Sequence, residues 1–177
     1  MIAIGVQVGQ RSEPSALCVV EVQNRTGPPG SEAHFLVRHL ERIPMGTTYP
    51  AVADRSAQVA ARLLDRGAVR PDLYLDATGL GEPVVDLFSA RVQNAKIVAV
   101  YFTQGDRRSR ISHRELHLGK AYLVTRLQTL LQVGCLHLPR TPDAEGLAHD
   151  LLEFQIDIAE HANDRYDAFR VGPRDEC

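Results

Sequence analysis

The chain has 177 residues, of which 44% are hydrophobic and 24% charged, and its formal net charge is −2. That composition belongs to one globular domain with a real core; it excludes wholesale disorder and leaves too little chain for two domains. No apolar run approaches the roughly 20 residues of a membrane-spanning helix, and the absence of net positive charge confines any nucleic-acid contact to a local basic patch.

In chain order, residues 2–8 are short, apolar and β-branched and predict a buried strand. No basic segment precedes this run, so no signal peptide is expected and the protein is read as cytoplasmic. Residues 16–23 predict a second strand, and NRTGPPG over 24–30 reads as a loop. Alternation over 34–43 predicts a third strand, so the first three form an antiparallel meander. The period then changes: Val52, Val59, Ala60, Leu63 and Leu64 recur at helical spacing over 51–66. DLYLD at 72–76 predicts a fourth strand, Thr78–Gly81 a turn, and 82–92 a helix with Pro83 in its first turn. KIVAVYFT at 96–103 predicts a fifth strand. A polar loop is expected over 104–113, a long helix over 114–133, a short extended piece at 135–138, and a last helix over about 144–155 that Asp143 caps. Strand–helix alternation after a meander implies one domain spanning 1–177, an α/β fold with a mixed sheet and helices on both faces.

In such sheets ligands bind beyond the carboxyl ends of central strands. Asp76 ends the fourth strand just before a glycine turn, where a carboxylate is costly unless it is paired, binds a cation or bonds its own turn. Gly105 to Arg114 holds four arginines (Arg107, Arg108, Arg110 and Arg114) and is the one dense basic patch; the arginine fork suits phosphate. Lys120 could add a phosphate contact. The cysteines, Cys18, Cys135 and Cys177, are odd in number and widely spaced, which fits neither a disulfide framework nor a zinc knuckle. They read as reduced thiols, with Cys18 and Cys135 as small core residues. His113 and His117 share i, i+4 spacing, but HRELH lacks the H-E-x-x-H order of a metalloprotease. His34 and His39 have opposite parity on one strand and should not converge.

Taken together, Ile4 to Gln10, Pro14 to Ala16, HFLVRHLERIPMGTTYP, LYLDATGLGEPVVDLF, VAVYFTQGD and LLEFQIDIAEHANDRYDAFRVGPRDE resemble the nuclease domain of a phage terminase large subunit, a member of the RNase H-like superfamily. The resemblance runs over almost the whole chain in order and is most specific from Asp76 to Phe88. It implies a metal-dependent DNA endonuclease of phage or prophage origin that cuts double-stranded DNA during packaging, alongside other phage packaging proteins and with no membrane. In that family, acidic residues of the first strand, the fourth strand and a C-terminal segment hold two Mg²⁺ or Mn²⁺ ions, which activate water and stabilise the leaving oxygen.

Carried over residue by residue, Asp76 matches the fourth-strand acid, and Asp175 and Glu176 match the C-terminal pair. Gln7 stands where the family has Asp, and the sequence ends soon after Asp175. The resemblance therefore implies a hydrolase with Asp76 and Asp175 as catalytic carboxylates, Asp76, Asp175, Glu176 and Gln7 around metal, and activity weakened or lost. The alternative is a catalytically inactive DNA-binding or assembly module on the same fold. Asp157, Asp164 and Asp167 are possible substitute ligands.

Overall fold

The computed structural model describes residues 1–9, 13–27 and 30–153. An eight-stranded mixed sheet carries the fold. Its strands are β1 (Ile2–Gln7), β2 (Ser15–Gly27), β3 (Gly30–Ile43), β4 (Asp72–Asp76), β5 (Lys96–Thr103), β6 (Arg108–Ser112), β7 (Glu115–Gly119) and β8 (Leu136–His137), and its helices are α1 (Tyr49–Asp65), α2 (Glu82–Arg91), α3 (Lys120–Gln132) and α4 (Pro142–Glu153). The strand order is β6-β7-β5-β4-β1-β2-β3-β8. β1, β2 and β3 pair antiparallel as the expected meander, while β1–β4, β4–β5, β5–β7 and β3–β8 are parallel.

The pleat divides the sheet into two faces. Ile4 and Val6 of β1, Leu17 and Val19 of β2, and Leu73 and Leu75 of β4 point to one face, where they bury against Val52, Ala53, Val59 and Ala60 of α1 and Val84 and Phe88 of α2. Two polar clasps hold these helices. The Arg55 guanidinium on α1 donates to both Glu41 oxygens of β3 at 2.7–3.1 Å, and Arg91 on α2 donates to Asp54 on α1 at 2.7 Å. The Arg55 fork and His39 hold Glu41 well below the ordinary carboxylate range, at about 2. α3 leads from β7 to β8, strands near opposite edges of the sheet, and packs on both and on α4. α1 and α2 join parallel strands stepping towards the β6 edge and α3 steps the other way, so the right-handed rule carries α3 over the second face.

Several expectations are corrected. The predicted loop at 24–30 is mostly strand: β2 runs on to Gly27 and β3 restarts at Gly30, with their residues paired to the end. The loop expected over 104–113 and the first turns of the helix expected over 114–133 form the β6–β7 hairpin instead, and the helix starts only at Lys120. The physical reason is burial on one side only: Leu116 and Leu118 pack on Val98, Val100 and Phe102, while all five β6 residues stay exposed and give no apolar period. His113 and His117 therefore do not share a helix face; His117 bonds Glu115 within β7 at 2.8 Å. His34 and His39 do not converge, as expected, His34 bonding His137 and His39 bonding Glu41, but the parity premise behind that expectation fails. A bulge between Val19 and Val20 lets Arg38 enter as an extra residue, so both histidines oppose odd-numbered β2 residues, Gln23 and Val19.

Candidate nucleic-acid and metal site

The local chemistry of the Asp76 turn follows from its composition. Asp76 is half-buried, and its Oδ1 accepts the Thr78 N–H at 2.9 Å, closing the Asx turn expected of Asp before a glycine turn. The Ala77 N–H donates to Val100 O at 2.9 Å, and the Thr78 hydroxyl accepts the Phe102 N–H at 2.8 Å, so the turn is tied to β5 on both sides. Gly79 and Gly81 sit at φ 73° and 72°, a region costly for residues with a Cβ. Gly81 then opens α2 as its N-cap.

The registers set what lies beside Asp76. Val6 of β1 pairs with Leu75, so the next positions, Gln7 and Asp76, are neighbours at the carboxyl ends of two parallel strands, on the face opposite α1 and α2. Asp76 pairs with Val100, Val100 with Leu116, and Leu116 with Arg110. Gln7, Asp76, Val100, Leu116 and Arg110 thus form one row across five strands on one face. Arg108, paired with Leu118, shares that face one step along. At about 4.8 Å per strand, Arg110 starts roughly 14 Å from Asp76, less than the combined reach of a DNA segment and a long side chain.

The structure separates the other predicted contacts from this row. Arg107 precedes β6 with the opposite parity to Arg108 and Arg110, and its carbonyl accepts the Gly119 N–H at 2.7 Å. Arg114 lies in the exposed β6–β7 turn, where its carbonyl accepts the Ala99 N–H at 2.8 Å. Lys120 is the first residue of α3 and is half-buried. Asp175 and Glu176, with Asp157, Asp164 and Asp167, lie outside the described residues. Among the described residues, the row offers one carboxylate, Asp76, and one neutral amide, Gln7. Those oxygens fit ligation of one hard divalent ion and do not by themselves make a two-ion cage.

Sequence reasoning missed a different cluster. One ligand atom each from Glu32, His34 and Cys135 falls within 4.8 Å of the others. Its only sequence signal, a Cys-x-His at 135–137, has no partner nearby in the chain.

No protein-family model and no curated protein matches the sequence. Among solved structures, the human cytomegalovirus terminase nuclease domain, in a structure soaked with Mn, superposes with a TM-score of 0.55 at 13% identity, over 87% of this chain and 73% of that one. The chain has the fold of a terminase nuclease domain. RuvC of Thermus thermophilus aligns at 17% identity over 57% of this chain and 62% of that one, with a TM-score of 0.33. No helix among the described residues is long and apolar enough to cross a membrane.

Proposed function

We propose that the chain is a terminase-type DNA endonuclease domain of phage or prophage origin, whose metal-dependent phosphodiester hydrolysis is weakened by Gln7. The observation that supports this reading is the row itself. A carboxylate and an amide stand side by side at the carboxyl ends of β1 and β4, on the face that carries Arg108 and Arg110.

On this reading Asp76 and the Gln7 carbonyl hold a Mg²⁺ or Mn²⁺ ion, which supplies Lewis-acid stabilisation of the phosphoryl oxygens when bound. Arg108 and Arg110 bind backbone phosphate on double-stranded DNA, bidentately and without reading sequence. The Asx turn presents one Asp76 oxygen to Thr78 and leaves the other for the ion. A second ion needs the carboxylates of Asp175 and Glu176. In a full packaging machine the domain would act with other packaging proteins.

Gln7 favours a second reading on the same fold, a DNA-binding or assembly module without turnover, because an amide contributes no charge toward a cation. A plasmid-nicking assay in Mn²⁺, run beside a duplex-binding assay, decides between them. Slow nicking that Asp76→Asn abolishes supports the endonuclease. Binding without nicking supports the module. Nicking that survives in Asp76→Asn places the chemistry elsewhere and refutes the site.

A further inference from the structure

At the far edge of the sheet, the two-residue strand β8 pairs with β3 through Phe35–Leu136 and Leu36–His137. The Phe35 N–H donates to Cys135 O at 2.7 Å, and the Cys135 N–H returns to Leu130 O, the last turn of α3, at 2.8 Å. These bonds fix the Cys135 backbone on both sides, and the residue is 2% exposed. Beside it, Glu32 and His34 project from alternate positions of β3, the i, i+2 spacing that puts two side chains on one face.

The polar contacts converge. His34 Nε2 lies 3.6 Å from Glu32 Oε2. His34 Nδ1 lies 2.8 Å from His137 Nε2, with the two rings stacked at 5.1 Å. His34 therefore has one ring nitrogen taken by His137 and the other turned toward the carboxylate and the thiol. All three donor atoms of Glu32, His34 and Cys135 lie within 4.8 Å of one another.

Sulfur, imidazole nitrogen and carboxylate oxygen are the donor set that suits a borderline divalent ion such as Zn²⁺. Tetrahedral bonds of 2.0–2.3 Å place ligand atoms roughly 3.3–3.8 Å apart, so the Glu32–His34 separation of 3.6 Å already fits and the other pairs have to close by no more than about 1 Å. A ligating histidine commonly has its other ring nitrogen held by a hydrogen-bond partner, which fixes the ring; His137 stands in that place.

We propose that Glu32, His34 and Cys135 form a three-ligand site for a zinc-class divalent ion, open at a fourth position, with His137 as the positioning residue for the His34 ring. The ion clips β8 to the sheet edge. It would add to the two ladder pairs and the α3 and α4 packing that hold this contact between parts of the chain about 100 positions apart. This site is independent of the Asp76 row. His34 opposes Gln23 of β2 and Gln7 opposes Ala16, seven residues along β2 or roughly 23 Å.

The test uses the full chain carrying Cys18→Ser and Cys177→Ser, so that Cys135 is its sole thiol, reduced and freed of metal with chelator. Co²⁺ is the probe, because a thiolate ligand gives it an intense near-ultraviolet charge-transfer band. The expected result is a band that saturates at one equivalent, disappears on adding Zn²⁺, and is absent when Cys135→Ser is added. Zn²⁺ should also raise the melting temperature of the sole-thiol protein and not that of its His34→Gln derivative. His137→Ala should weaken Co²⁺ binding by roughly 10–100-fold while leaving the band's position unchanged. No thiolate band at equimolar Co²⁺, or a band that persists after Cys135→Ser, overturns the site. Unchanged affinity in His137→Ala overturns the positioning role. If Cys135→Ser fails to fold by circular dichroism, the His34→Gln derivative decides: a full-strength band there overturns the site, and a lost band supports it.

Discussion

Gln7→Asp turns the pair at the ends of β1 and β4 from one carboxylate and one amide into two carboxylates. Gln7 is exposed, so the dielectric of water applies to the new charge. Parallel neighbours lie about 4.8 Å apart, and the added charge then repels Asp76 by about 0.9 kcal/mol. The same charge attracts a divalent ion at about 2.1 Å by about 4 kcal/mol. That repulsion is present with and without the ion, so the attraction of about 4 kcal/mol sets the gain, which corresponds to affinity higher by on the order of 1000-fold. Isothermal titration of Mn²⁺ into the wild type, Gln7→Asp and Asp76→Asn measures it directly. The gain should shrink as pH falls, because two adjacent carboxylates bind their first proton more readily than one alone. Restored nicking would follow if the missing charge is what limits turnover. Unchanged Mn²⁺ affinity in Gln7→Asp refutes the reasoning, since it means that residues 7 and 76 do not share an ion.

Other consequences are as direct. Arg108→Ala with Arg110→Ala should lower the slope of log affinity against log salt for duplex DNA by about 1.8, from two lost phosphate contacts. Arg107→Ala, off that face, should change the slope less, and equal effects would remove the row from DNA binding. The carboxyl of Glu41 is held down at about 2 from 4.5 by Arg55 and His39; a depressed folded-state value stabilises the fold above pH 4.5 and loses that stability as pH falls from about 4.5 towards 2. The full shift corresponds to about 3.4 kcal/mol and partial exposure cuts this to roughly 1–2 kcal/mol, so urea melts of Glu41→Gln should show a flatter loss of stability over that window than the wild type, and parallel curves would refute the pair. Phe88 is fully buried between α2 and the sheet, and Phe88→Ala should cost about 3–5 kcal/mol in the same melts; a loss under about 1 kcal/mol would place its ring outside the core.

The parts of the fold that were legible from sequence are those buried on a periodic face. DLYLD and KIVAVYFT are flanked by turn residues, and the observed β4 and β5 match the predicted spans. α1 and α2 also begin and end near their predicted positions, because Val52, Val59 and Ala60 on one helix and Val84 and Phe88 on the other meet the same core. The β6–β7 hairpin was hidden for the converse reason. RSRIS buries nothing, and Leu116 of ELHLG lies seven residues before Leu123, in phase with the helix that genuinely follows at Lys120. The extension of β2 and β3 to Gly27 and Gly30 was hidden by polar residues on a hairpin arm that projects beyond the core. At the site, Asp76 was legible because a lone carboxylate before a glycine turn is a local signal. The pairing of Cys135 with Glu32 and His34 was not, because it depends on a parallel contact that only the completed sheet creates.

The row also explains why binding and cleavage should come apart under mutation. Arg110 stands three strands from Asp76, roughly 14 Å away. At 3.4 Å of helix axis per nucleotide on one strand, that spacing spans about four base pairs. On the proposed reading, an arginine so placed would grip phosphate well away from the bond that an ion on Asp76 would polarise. Charge lost at Arg108 and Arg110 should therefore raise the DNA concentration needed for half-maximal rate and leave the rate at saturation nearly unchanged, whereas charge altered at residue 7 or 76 should act mainly on that saturating rate. If both sets lowered the saturating rate alike, the two arginines would lie against the scissile phosphate, and the sheet register would have to be abandoned as a guide to how the duplex sits.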